Sequence, residues 1–140
     1  MTTSRDLTSK TGMDSTAPTT DLAHAQSVTN GLYTLAIEMV HGKHGHATGV
    51  VVLRDGRIMG GDSFFYYTGS YACKAGKWRG DMIVHQHTEA PGLNLAFGGR
   101  EVTCGFTGTY AKGTADIEGT ALVGKNSVLF NARLTLREAS

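Results

Sequence analysis

From Asn30 onward, apolar residues recur at every second position. In Gly31–Val40, Tyr33, Leu35, Ile37 and Met39 fall on one face and Thr34, Ala36 and Glu38 on the other, which predicts a strand buried on one side. His46–Arg54 is a second such run. Asp55-Gly56 separates it from a third, Arg57–Met59, and an Asp-Gly pair between apolar runs predicts a type I′ hairpin turn. A fourth strand is expected over Ser63–Cys73, with Phe65, Tyr67 and Tyr71 on one face and Phe64 and Tyr66 on the other. Lys74–Gly80 reads as a turn, Asp81–Glu89 as a fifth strand and Ala90–Gly99 as a longer loop. Arg100–Tyr110, Thr114–Leu122 and Ser127–Glu138 complete the set. The last alternates most clearly, with Val128, Phe130, Ala132, Leu134 and Leu136 opposed to Asn131, Arg133, Thr135 and Arg137.

No helix-length periodic segment lies between these strands, so a parallel βαβ architecture is excluded. Eight short strands joined by short turns predict an all-β, antiparallel up-and-down arrangement over residues 29–140. Closing it into a barrel removes two unpaired edges. A sandwich is the alternative, and the local connections favour the barrel. Residues 1–28 have a different texture. Thr and Ser dominate there, aromatics are absent, and Leu7, Leu22 and Val28 are the strong apolar residues, so a flexible, disordered N-terminal tail is expected.

Composition supports the strand reading. Nineteen glycines and two prolines in 140 residues suit a much-bent sheet better than a helical bundle. A net charge of +1 gives no footprint for nucleic acid. No apolar run approaches the roughly 20 residues of a membrane-spanning helix, so no membrane partner is expected. The N-terminus shows no apolar core of a secretion signal, and the reading is cytoplasmic, with Cys73 and Cys104 as two reduced thiols rather than one disulfide.

Candidate chemistry is sparse. His85-x-His87 on a strand places two imidazoles on one face, and His41, His44 and His46 cluster in a connecting loop; together they are weak metal candidates without carboxylate or thiol at ligand spacing. No metal and no cofactor is expected, and no catalytic residue. Ser63 precedes a strand rather than a helix, so it is no nucleophile elbow. Cys104 alternates with Val102 and Phe106 and reads as core. Asp116 and Glu118 share a face expected to be solvated, with Ile117 inward. Gly60-Gly61-Asp62 cannot form a phosphate loop, because no helix follows. Together with Asp55 and Gly56, these residues are read as structural turns. Gly60 and Gly61 form the bend between the third and fourth strands, and Asp62 accepts backbone N–H groups in an Asx turn. The aromatic block is more suggestive. Phe64, Tyr66 and Trp78 are expected to face outward as an interface, while Tyr33, Leu35, Ile37, Phe65, Phe106 and Phe130 would line an interior cavity able to take a small apolar ligand.

Gly31-x-Tyr33, Asp55-Gly56, Gly60-Gly61-Asp62, Tyr67-x-Gly69 and His85-x-His87, in that order, resemble the GrlR-like family of negative regulators of type III secretion. The likeness runs from about Asn30 to Thr88, and beyond that only the strand pattern agrees. It implies a calycin-like eight-stranded barrel, a homodimer, and regulation by binding a protein partner such as a transcriptional regulator rather than by enzymatic chemistry. Where the founding regulator carries an acidic loop after the fourth strand, this chain has the basic Cys73–Gly80, so no partner-binding residues carry over. The opening Gly31-x-Tyr33 is also similar to the Gly-x-Trp of lipocalins, which would imply a late basic residue such as Arg133 closing the barrel base. Three readings follow: a regulatory binding protein, a carrier of a small apolar ligand, and a metal-binding protein using His41, His44, His46, His85 and His87.

Overall fold

The structure, a computed structural model, describes residues 27–40, 46–89 and 101–140. The expected tail falls almost wholly outside the described residues, and the Ala90–Gly99 loop does so entirely. Eight strands follow one another as β1 (Gly31–Met39), β2 (His46–Arg54), β3 (Arg57–Gly61), β4 (Phe65–Lys74), β5 (Lys77–Gln86), β6 (Val102–Ala111), β7 (Thr114–Val123) and β8 (Asn126–Ala139). Each pairs antiparallel with the next, and β1 pairs with β8 from Tyr33↔Leu136 to Met39↔Phe130, so the sheet closes into a barrel. Closure leaves every strand with two neighbours and no free edge.

The two ends differ. At one end, tight two-residue turns join β2–β3, β4–β5 and β6–β7. Asp55 and Gly56 have φ of 50° and 87°, and Ala75 and Gly76 have 51° and 84°, so both pairs take the left-handed geometry whose twist matches the flanking strands. The turn carbonyls are tied onward: Gly56, Gly76 and Gly113 accept the N–H groups of Tyr71, Tyr110 and Leu136 at 2.9, 3.0 and 2.8 Å. Asn30 clamps the entering chain to the first turn through two 3.0 Å bonds with Asp55. The opposite end carries the longer connections, the corner at Asp62 and one further two-residue turn, Gly124-Lys125, between β7 and β8. One extra residue, Arg137, interrupts the β1–β8 register near the rim, where its Nε donates to Thr34 Oγ1 at 2.9 Å.

Inward side chains from all eight strands form one core. The alternation expected for β1 and β8 is observed, with Tyr33, Leu35, Ile37, Phe130, Ala132 and Leu134 buried. Large rings fit because glycine faces them. A side chain at Gly119 would collide with the Phe130 ring, and one at Gly49 would sit 2.8 Å from the Tyr67 hydroxyl.

Four expectations need correction. Val28 is buried in the core, so the ordered domain starts before residue 29. β3 runs through Gly60 and Gly61, which pair with Val51 and Val50; Gly60 lets β2 approach closely and Gly61 lets β4 do so, and the bend itself is Asp62–Phe64. Lys77–Gly80 is strand rather than turn, since Ala75-Gly76 alone reverses the chain. Trp78 therefore points inward and is 2% exposed, not an outer interface residue. Among the described residues there is no helix.

Candidate functional site

Three places hold the residues singled out from the sequence: the interior, the corner at Asp62, and the outer face. In the interior, Tyr33, Leu35, Ile37, Phe106 and Phe130 are buried members of the core and Phe65 packs against them half-buried. Tyr71, Trp78 and Phe106 form an edge-to-face chain with ring centroids 5.6 and 4.9 Å apart. Trp78 Nε1 donates to the Asp116 carbonyl at 3.0 Å, and the Tyr33 hydroxyl to the Thr29 carbonyl at 2.6 Å. Burial pushes the phenol of Tyr33 up to about 12, helped by neighbouring Tyr71 and Cys73. Burial likewise raises Tyr71 and lifts the Cys104 thiol to about 12, which makes that thiol inert as a nucleophile at neutral pH. Both cysteines are free.

The corner is built by Asp62. Its Oδ1 accepts the N–H groups of Phe64 and Phe65 at 2.8 and 2.9 Å, the expected Asx arrangement. Its Oδ2 accepts the hydroxyl of Tyr67, which reaches up from the barrel interior. Burial first, and the bond to Asp62 second, raise the Tyr67 phenol well above its ordinary range. Phe64, expected outside, is half-buried here, and its carbonyl accepts the N–H groups of His87 and Thr88 at 2.8 and 3.2 Å.

Tyr66 is exposed and forms a small ring stack with the histidines of β5 and the residues just after it. His85 lies 4.6 Å from its ring, nearly parallel, and His87 lies 6.4 Å away. His85 Nδ1 meets Glu101 Oε2 at 2.7 Å, while the nitrogens of His87 meet Thr88 Oγ1 at 2.7 Å and the Asp62 carbonyl at 3.1 Å. The two imidazoles are thus spent on separate protein partners rather than turned toward a shared ion. His41, His44 and the side chain of His46 lie outside the described residues. Among the described residues, no three His, Cys, Asp or Glu side chains gather as a metal would require.

Elsewhere on the outer face, Arg133 makes paired bonds of 2.9 and 3.3 Å to the Asp116 carboxylate. It does not close the barrel base, because Ala132 and Leu134 take the inward positions on either side. Two features were invisible in the sequence because they run across strands. The first is a row of directly paired outward positions: Leu32, Val52, Met59, Thr68, Ile83, Thr103 and Leu122, from β1 to β7. No member is charged, and Met59 is 47% exposed. The second is a pair of adjoining outer cavities of about 380 and 430 Å³ over β6, β7 and β8, sharing Thr107, Glu118 and Thr120. No known family model matches the chain, and no curated protein matches it.

Proposed function

We propose that this chain is a non-enzymatic binding protein of regulatory type, cytoplasmic, which works through its outer surface and self-associates as a homodimer. The observation that carries this reading is the uncharged outer row centred on Thr68. Such a row on a solvated sheet face is unusual, since outward positions are ordinarily polar. The charges beside it favour a second copy as the occupant. Arg57 and Asp81 flank Ser70, and Met59 and Ile83 flank Thr68, in neighbouring rows. A two-fold axis running along β4 sets Arg57 over the partner copy's Asp81 and Met59 over its Ile83, which is the self-complementarity that an isologous contact needs. Neither Arg57 nor Asp81 makes an ion pair among the described residues. The likeness of Asn30–Thr88 to GrlR-like regulators supports the same reading, with a transcriptional regulator as the partner class, and the free thiols support a reducing compartment.

Light scattering on the purified full chain tests the reading. A dimer is expected at micromolar concentration, and Met59→Lys should convert it to a folded monomer. A wild-type chain that stays monomeric at high micromolar concentration would sink the self-association reading.

A further inference from the structure

We propose that the groove over β6, β7, β8 and the end of β1 is a docking site for a basic amphipathic helix of a partner protein. This deepens the reading of the chain as a binding protein and rests on it. It centres on β7 and β8, across the closed sheet from β3 and β4, and shares Leu122 with the end of the uncharged row.

The groove has a bare floor and two contrasting walls. Gly105 faces outward on β6, and nothing lies within 4 Å of where its side chain would be. Across the strands from it run Thr120, Leu129 and Val40, an increasingly apolar row. Leu122, one step along β7, is 55% exposed. The adjacent row is Thr107, Glu118, Asn131 and Glu38, again paired strand to strand. One wall is therefore aliphatic and the other anionic.

The carboxylates are unspent. Asp116 is neutralised by Arg133, whereas Glu118 and Glu38 make no hydrogen bond or ion pair with any described residue. Each pairs with Asn131 across a strand boundary, so they stand two strand spacings apart, about 9–10 Å. Seven residues of α-helix rise about 10.5 Å. A helix laid across the strands presents cations at i and i+7 to Glu118 and Glu38, and aliphatic side chains from its neighbouring stripe to Leu129, Leu122 and Val40. Closure of the barrel selects a helix over a strand: an added strand would need a free edge, and β1 pairs with β8. The incoming segment must bring its backbone hydrogen bonds already satisfied.

The probe is a synthetic Lys/Leu amphipathic helical peptide with lysines at i and i+7, compared with its Glu/Leu counterpart, titrated into the full chain by fluorescence anisotropy. The lysine peptide should bind and weaken as salt rises, and the glutamate peptide should not bind. Glu118→Gln and Glu38→Gln should each weaken binding about three- to fivefold. Gly105→Leu, which the open space accommodates, should abolish binding while circular dichroism stays unchanged. Equal binding of both peptides, indifference to all three substitutions, or no binding at all overturns the proposal. A change of mass in light scattering on Gly105→Leu makes the groove a contact between copies and also overturns it, as does preferential binding to anionic vesicles. A wild-type chain that is monomeric yet binds the lysine peptide would reject the homodimer and leave the groove standing; a dimer that ignores the peptide would do the reverse.

Discussion

The hydroxyl of Tyr67, inside the barrel, donates to the same Asp62 carboxylate that holds the N–H groups of Phe64 and Phe65. One side chain thus couples the turn between β3 and β4 to the core. Removing it leaves two backbone donors and a buried phenol without their acceptor. Asp62→Ala should cost about 1–3 kcal/mol, the usual range for orphaned buried groups. Tyr67→Phe removes a donor but orphans only one lone pair, and should cost about 0.5–1.5 kcal/mol. Urea denaturation of both variants and of the double variant measures the coupling. Strictly additive losses would show that the two ends of this contact act independently.

Alkaline pH should expose the same burial. The Tyr33 and Cys104 groups are raised to about 12 from 10.0 and 9.0, and Tyr67 and Tyr71 are raised in the same direction. The unfolded chain releases these protons at its ordinary values, while the folded chain keeps them. The folded state then binds more protons, so stability is complete below pH about 9 and falls as pH rises through 10 and beyond. Absorbance at 295 nm should rise in two phases, the later one coinciding with loss of near-ultraviolet circular dichroism. A single smooth phase for all five tyrosines, with the fold intact throughout, would contradict the burial of these phenols.

Ala75 sits at φ 51°, a left-handed conformation that a Cβ makes costly, in a turn where Gly76 at 84° follows it. Ala75→Gly relieves that cost and gives back part of it as unfolded-chain entropy. A net gain of about 0.5–1 kcal/mol is expected, which raises the melting temperature by several degrees in a domain of this size. Calorimetry decides it: an unchanged or lower melting temperature would mean that the turn holds Ala75 without strain.

The barrel was legible where inward positions carry large apolar side chains, as at Tyr33, Leu35 and Ile37, and where a turn shows its chemistry, as at Asp55-Gly56. It was obscured in Lys77–Gly80. There the outward residues are Lys77 and Arg79, and one of the inward ones is Gly80, which is mute in any hydrophobic pattern. Its bareness matters because the Ser70 carbonyl of β4 crowds the place where a side chain would start and the Phe106 ring lies 2.9 Å from it. The Asx role of Asp62 could be read from its neighbours, but the reach of Tyr67 to it could not. The outer row and the groove were out of reach for a simpler reason. Met59 meets Thr68, and Glu118 meets Asn131, only through strand register, and register depends on turn lengths and on closure.

Trp78 carries a prediction that follows from its corrected position. It is buried against Tyr71 and Phe106, with its Nε1 bonded to the Asp116 carbonyl. Trp78→Phe should therefore lower stability by about 1–3 kcal/mol, through lost volume and an orphaned carbonyl, without changing the mass seen by light scattering. A variant of unchanged stability with altered association would return Trp78 to the surface role its composition suggested.

The charge pair beside the outer row supplies the sharpest test of self-association. In the two-fold arrangement, Arg57 of one copy meets Asp81 of the other, and both side chains are solvent-exposed in the single chain. Arg57→Asp alone places like charges across the contact twice, once on each side of the axis, and should weaken the dimer at least tenfold at low salt. Asp81→Arg alone should do the same. The double variant restores opposite charges in swapped order and should recover most of the affinity, because only the sign of each member has changed. Added salt should shrink all three differences, since exposed pairs are screened over about 8–10 Å. Sedimentation equilibrium at two ionic strengths measures this. Losses that add in the double variant, with no recovery, would rule out this pairing and with it the axis along β4.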